Sequence, residues 1–249
     1  MHFPFNFVWP LINVHPNRFP VQVYLHKFVE EIPNLYIFSV DYKLRQKYGS
    51  SHQDVLDAYL WLTSDSPDVE ALFGFKPKRI LVCGDSAGAF LSFTLCSMLN
   101  DLRKYVGEQK LNETIVMPDT LINFYGFTTL NKLSPSMVLT FLECIVNLPV
   151  LRTGFGSLVF GCEDPKLAKR IFMPFLSDRE EKWYSGSNPK FNEYNRRFVE
   201  QIQKHPYLEP IDHVNFEELK DIHLYLVTCE FDVFLDMNIE LAKKWKGEC

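Results

Sequence analysis

One short segment constrains the fold of this chain more than any other. The apolar run Arg79 to Cys83 (RILVC) is typical of a buried strand, and Gly84-Asp85-Ser86-Ala87-Gly88 follows it directly. An apolar helical pattern, Ala89 to Leu99, begins immediately afterwards. A strand, a tight turn and a helix in this order predict that Ser86 lies on a sharp turn at the carboxyl end of a strand.

The residue types in this turn point to nucleophilic chemistry. A serine on a strained turn tolerates only small residues two positions before and after it, as Gly84 and Gly88 provide, with Asp85 in the variable position. Such a turn raises the Ser86 hydroxyl above the strand ends and aims the amide of Ala87 at a developing oxyanion. The alternative is a glycine-rich turn that only allows close packing.

The rest of the chain alternates short β-rich runs with helical patterns, which indicates an α/β domain with a mostly parallel sheet. A helix start is predicted at Ser51, capped by that residue with Asp54 three positions later. We expect one doubly wound domain over residues 1–249, with a helical cap or insertion at about 126–206. The further predicted strands and the last predicted helix are Leu35 to Tyr42, Thr120 to Tyr125, His223 to Cys229, a weaker Leu11 to Val14, and Leu235 to Lys246.

Composition excludes several classes of protein. Apolar residues make up 47% of the chain, which argues against disorder, and a net charge of −5 argues against nucleic-acid binding. The six cysteines are scattered without a C-x-x-C pair, so neither a metal site nor a disulfide framework is expected. We therefore expect a reducing compartment, the cytosol. The apolar stretch Met137 to Leu151 is too short and too polar to span a bilayer, so no transmembrane segment is expected.

A nucleophilic serine on this fold works with an orienting Asp or Glu and a basic His, and along the chain the order is Ser, then Asp or Glu, then His. Asp232 lies just past the predicted strand His223 to Cys229, where an orienting carboxylate belongs, and Asp236 competes for the role. All seven histidines of the chain precede Asp232, so no catalytic histidine is assigned.

These residues resemble the hormone-sensitive lipase group of α/β-hydrolases. GDSAG (Gly84 to Gly88) is that group's form of the turn, and Asp232-Val233-Phe234-Leu235-Asp236 is similar to its D-P-x-x-D segment. Asp41-Tyr42-Lys43-Leu44 resembles its D-Y-x-L strand end. Ser134-Pro135-Ser136 and His205-Pro206-Tyr207-Leu208-Glu209-Pro210 resemble segments of the eukaryotic lipase.

The resemblance implies hydrolysis of acylglycerols and of sterol or retinyl esters in lipid catabolism. Ser86 would be the nucleophile, Asp232 the orienting acid and Ala87 an oxyanion donor. It implies no cofactor and no metal. The neutral lipid esters would be met in the cytosol and at the surface of lipid droplets.

Two parts of the family pattern are missing from this sequence. No glycine occurs before Gly49, so the His-Gly-Gly-Gly loop that completes the oxyanion hole is absent, and Pro16 follows His15 without an N–H to donate. The histidine expected after the last helix, on a further strand, is absent too. Because loss of the base costs about a millionfold in turnover, we expect this chain to be nearly inactive toward esters.

Two explanations account for the missing loop and the missing histidine. The sequence is either a partial product of an active lipase, truncated before its last strand, or a non-catalytic protein that binds lipid or a partner. The first predicts aggregation through an unprotected strand at His223 to Cys229. An acyltransferase or peptidase with the same turn remains a third class. Met137 to Leu151 is either a core-facing helix or a lid over the site.

Overall fold

The computed structural model describes residues 7–9, 19–43, 46, 48–75, 77–110, 114–129, 134–141, 151, 154 and 205–247. Its strands are β1 (Phe7–Trp9), β2 (Ile37–Ser39), β3 (Leu81–Asp85), β4 (Thr120–Phe124) and β5 (His223–Val227). Its helices are α1 (Phe19–Glu31), α2 (Ser50–Thr63), α3 (Pro67–Phe73), α4 (Ala87–Glu108), α5 (Pro210–His213) and α6 (Leu235–Trp245). Two 3-10 helices cover Pro135–Phe141 and Phe216–Glu218.

Every strand pairing in the described residues is parallel. β1 pairs with β2, and β3, β4 and β5 pair in that order, with Asp85, Phe124 and Val227 in one row. β1 also lies beside β3, which places the strands in the order β2, β1, β3, β4, β5. Parallel order sends the carboxyl ends of all of these strands to the same edge of the sheet.

Helices cover both faces of the sheet, so the predicted doubly wound α/β architecture is confirmed. Val82 and Leu121 point to one face, where they pack in a core with α2, α4 and α6. Cys83 and Ile122, one residue further along each strand, point to the other face and pack against Leu25 of α1. This alternation is why β3 reads as an unbroken apolar run.

The predicted elements are confirmed in kind and differ at their ends. β3 begins two residues later than the predicted run and includes Gly84 and Asp85, because it pairs with β4 up to Phe124. The predicted face of α2, formed by Val55, Tyr59 and Leu62, is buried as expected. The predicted strand Leu11 to Val14 lies outside the described residues.

The predicted cap of α2 is wrong. Gly49, at φ 94°, precedes the helix without a side-chain cap. Ser51 Oγ instead donates to the carbonyl of Lys43 at 3.0 Å, and Asp54 Oδ2 accepts the Lys43 amide at 2.8 Å. Both side chains are therefore engaged by the segment that follows β2, which competes with helix capping.

Most of the predicted cap at 126–206 lies outside the described residues. At its borders Thr129 Oγ1 donates to the buried carboxylate of Glu209, and the amide of Ile211 donates to the carbonyl of Thr128 at 3.4 Å. Met137 and Leu151, the two ends of the predicted lid or core-facing helix, are buried in the core with α4 and α6. At these two positions the core-facing interpretation is favoured, and residues 142–150 lie outside the described residues.

Candidate active site

The turn between β3 and α4 holds Ser86 in a strained conformation. Its φ of 53° and ψ of −119° lie outside the regions that residues with a side chain favour. The Ser86 amide donates to the carbonyl of Phe124 at 2.9 Å, which extends the β3–β4 ladder by one bond. The serine therefore sits at the carboxyl edge of the sheet, tied to the neighbouring strand by its own backbone.

Gly84, two residues before Ser86, is required by contact between backbones. A Cβ added to Gly84 would lie 2.2 Å from the carbonyl carbon of Gly88 and 2.6 Å from the amide nitrogen of Ala89. Strand and helix approach each other directly across the serine, and any side chain at position 84 would separate them.

The start of α4 presents amides at the same edge. The helix begins at Ala87, and the first amides of a helix have no acceptor within the helix. The Ser86 carbonyl takes the first helical bond, from the Phe90 amide at 3.2 Å. An N–H at Ala87 combined with the positive end of a 22-residue helix favours a negative charge next to Ser86.

A second strained turn at the end of β4 was not foreseen from the sequence. Tyr125 has φ 41° and its amide donates to the Val227 carbonyl at 2.7 Å. A Cβ added to Gly126 would lie 2.5 Å from the Cβ of Ala89, so this glycine allows the turn to pack against the start of α4. A glycine right after a predicted strand was the available signal.

The Tyr125 side chain lies among the acidic groups of this edge. Partial burial raises the pKa of its phenol, and the nearby carboxylates of Asp85 and Asp232 and the thiol of Cys229 raise it further. Asp85 and Asp232, which come from β3 and from the loop after β5, thus act on one phenol at the carboxyl edge.

The structure separates the two candidate acids. Asp232 is half-buried in the loop between β5 and α6, and its Oδ1 accepts the Phe234 amide at 2.9 Å. Asp236 lies in the first turn of α6, and its Oδ2 accepts the Ser136 amide at 2.5 Å. β4 alone separates the strands that precede Ser86 and Asp232, so those strand ends are about 10 Å apart.

The described histidines occupy other places. His223 opens β5, at the end of the strand opposite to Asp232. His52 is buried in the first turn of α2, and His205 Nδ1 lies 3.0 Å from the Tyr48 hydroxyl. Burial and, to a smaller extent, the neighbouring His205 together lower the pKa of His52 to about 4. His26 and His213 are exposed. His2 and His15 lie outside the described residues.

Comparison with known proteins identifies the family. The sequence profile of the alpha/beta hydrolase fold family known as Abhydrolase_3 matches residues 22–160, which is more than half of the chain. This chain belongs to that α/β-hydrolase family. The matched stretch of the α/β-hydrolase includes the turn at Ser86 and all of α4.

Two mycobacterial esterases are similar to part of this chain. The carboxylic ester hydrolase LipN of Mycobacterium tuberculosis is 32% identical over 76 residues, or 30% of this chain and 19% of LipN. Esterase LipU of the same organism is 32% identical over 84 residues, or 33% of this chain and 24% of LipU. This chain thus matches less than a quarter of the length of each mycobacterial enzyme.

Solved structures agree on the fold. Carboxyl esterase 2 of the mycorrhizal fungus Tuber melanosporum superposes with a TM-score of 0.65 at 14% identity. The superposition covers 98% of this chain and 64% of the fungal esterase. Within the described residues, no helix of the α/β-hydrolase is long and apolar enough to cross a membrane.

Proposed function

We propose that this chain carries the nucleophile and the acid of a carboxylic ester hydrolase. The observation that carries the proposal is the backbone of Ser86, which is held at φ 53° and ψ −119° between β3 and a helix N-terminus. Strain of this kind persists only where the surroundings enforce it, and here it lifts a hydroxyl to the edge where Asp232 also lies.

The proposed reaction uses each of these groups once. Ser86 Oγ attacks the ester carbonyl carbon, and the Ala87 N–H stabilises the oxyanion that forms. The C–O bond to the alcohol breaks, the alcohol leaves with the proton that Ser86 gives up, and water later releases the acid from the acyl-serine. Asp232 orients and stabilises the base that carries the proton.

The described part of the chain offers no histidine as the general base for this reaction. No histidine follows Asp232 in the sequence, and the described histidines lie at the positions given above. We therefore propose that the chain alone turns over esters close to the background rate. The proposed substrates are neutral lipid esters, meaning acylglycerols and sterol or retinyl esters, and the proposed place of action is the cytosol and the surface of lipid droplets. Support for these details comes from the resemblance to hormone-sensitive lipase.

An added base tests the proposal. The full chain and the Ser86→Ala variant are incubated with p-nitrophenyl butyrate over a range of imidazole concentrations, and mass spectrometry follows acylation of the protein. We expect both proteins to match without imidazole. With imidazole, the wild-type rate should exceed that of Ser86→Ala by at least about tenfold, because a base within reach is worth about 10² or more. Acyl adducts should map to Ser86.

The opposite result has a clear meaning. Equal rates for the two proteins at every imidazole concentration, without an adduct on Ser86, would contradict the hydrolase proposal. They would favour the second candidate, a non-catalytic protein that binds lipid or a partner, which the missing histidine supports. Ser86-dependent turnover without imidazole would retain the hydrolase and contradict the predicted inactivity. Acylglycerol and cholesteryl ester emulsions in the same assay test the substrate class.

A further inference from the structure

Two segments far apart in the sequence meet at the loop that carries Asp232. Ser136 belongs to the 3-10 helix Pro135–Phe141, and Asp236 lies in the first turn of α6, 100 residues later. The Ser136 amide donates to Asp236 Oδ2 at 2.5 Å, and the Asp236 amide donates to Ser136 Oγ at 3.3 Å. Each residue therefore binds the backbone amide of the other.

The Ser136 hydroxyl also binds the residue next to Asp232. Ser136 Oγ donates to the carbonyl of Val233 at 3.0 Å. A serine hydroxyl has one hydrogen and two lone pairs, and a carbonyl only accepts. The hydrogen is thus used by Val233, one lone pair takes the Asp236 amide, and Ser134 Oγ, 3.1 Å away, donates to the other. Every hydrogen-bonding position of the hydroxyl is filled, which fixes its orientation.

These bonds hold the backbone on which Asp232 depends. Val233 and Phe234 are 3% and 5% exposed, and Phe234 packs against Phe127 with ring centroids 5.5 Å apart. The Phe234 amide in turn holds one oxygen of the Asp232 carboxylate. The peptide between Asp232 and α6 is therefore held by the core on one side and by Ser136 on the other.

We propose that Ser136, paired with Asp236, is a positioning residue that sets the direction of the Asp232 carboxylate toward the base. The inference rests on the proposed function, since it assigns Asp232 a partner to orient. Nothing in the local sequence around Asp232 identifies Ser136, because the two segments meet only in the folded chain.

Kinetics with imidazole test this role. The full chain is compared with Ser136→Ala, Asp232→Asn and the double variant, using p-nitrophenyl butyrate. We expect Ser136→Ala to lower the imidazole-supported kcat about tenfold and to raise the half-saturating imidazole concentration, with the KM for the ester unchanged. In the Asp232→Asn background the same substitution should have no further effect, because the group it positions is already lost.

Lys244→Met is the matched control. Lys244 Nζ donates to the carbonyl of Ile211 at 2.9 Å and so ties down the opposite end of α6. We expect this variant to lower the Tm without changing the half-saturating imidazole concentration. The proposal would be overturned if Ser136→Ala had the same kcat and half-saturating imidazole concentration as the wild type or as Lys244→Met. It would also be overturned if Ser136→Ala lowered kcat in the Asp232→Asn background by the same factor as in the wild type.

A second readout works without turnover. The carboxyl carbon of Asp232 is followed by NMR through a pH titration in the wild type, Ser136→Ala and Lys244→Met. We expect Ser136→Ala to raise the titration midpoint by about half a pH unit or more, because a displaced carboxylate loses the Phe234 amide, and Lys244→Met to leave it unchanged. An unchanged midpoint in Ser136→Ala overturns the proposal. A raised midpoint in a chain without Ser86-dependent turnover places the failure in the proposed function instead.

Discussion

Gly84 faces the backbone of the turn that follows Ser86, at a distance that leaves no room for a side chain. In Gly84→Ala the new Cβ would lie 2.3 Å from the carbonyl oxygen of Gly88, and the main chain has to move to relieve the contact. We expect the free energy of unfolding to fall by at least about 2 kcal/mol, measured by urea denaturation followed by circular dichroism.

Gly107 provides the control at the other end of α4. A Cβ there would have no heavy atom within 4 Å, and alanine favours the helix over glycine. Gly107→Ala should therefore raise the free energy of unfolding by about 0.5 to 1 kcal/mol. If the two variants shifted stability by equal amounts in one direction, the close approach at Gly84 would not be what constrains the turn.

At the scale of elements, α2 is joined to the segment after residue 204 by a cluster of aromatic and histidine side chains. The ring of Tyr48 contacts His52 and His205, with centroids 5.1 and 5.0 Å apart, and His52 also contacts Phe90 of α4. The amide of Tyr207 donates to His205 Nδ1 at 3.3 Å, which requires that nitrogen to be an acceptor. His205 is accordingly held in the neutral form.

This cluster makes stability depend on pH. The pKa of His52 in the folded protein, about 4, is below the ordinary value of 6.5. The contribution of neutral His52 to the free energy of unfolding is therefore complete above pH 6.5 and is lost as the pH falls toward 4. The loss amounts to about 3 kcal/mol at most. Burial and His213 lower the pKa of His205 as well, which adds a smaller effect of the same sign.

Urea denaturation between pH 7.5 and pH 4 measures this dependence. We expect His52→Leu to flatten the decline in the free energy of unfolding below pH 6.5. His223→Gln, at an exposed histidine, should keep the decline of the wild type. A His52→Leu variant with an unchanged pH dependence would show that the imidazole of His52 is not responsible.

At the scale of the whole molecule, β5 is the last strand of the described sheet and pairs there with β4. Tyr225 and Val227, on one face of this strand, are 62% and 44% exposed. Edge strands with apolar side chains pair with other chains, so we expect self-association that increases with protein concentration.

A charged residue on β5 tests this expectation. Val227→Lys should reduce self-association in sedimentation velocity experiments, because lysine on an edge strand opposes pairing. Leu72→Lys is the control, since Leu72 is 66% exposed on α3, away from the sheet edge. Equal reductions in both variants would indicate general surface hydrophobicity rather than the edge strand.

The sequence predicts features that depend on neighbours along the chain. The strand before Gly84, the turn at Ser86 and the buried face of α2 follow from apolar periodicity and residue size, and the structure has all of them. Contacts between distant segments were out of reach. Ser51 binds Lys43 instead of capping its helix, and Ser136 meets Asp236 across 100 residues. Helix and strand propensities depend on residues nearby in the sequence, so they do not predict hydrogen bonds between distant segments.

The bonds between residues 128–129 and 209–211 have an evolutionary consequence. Thr129 with Glu209, and Thr128 with Ile211, join two segments that lie about 80 residues apart in the sequence. The entropy of closing a loop grows only with the logarithm of its length. The number of residues between positions 151 and 205 can therefore change during evolution at little cost to the sheet, whereas Ser136, Met137 and Leu151 are held in place by the contacts described above.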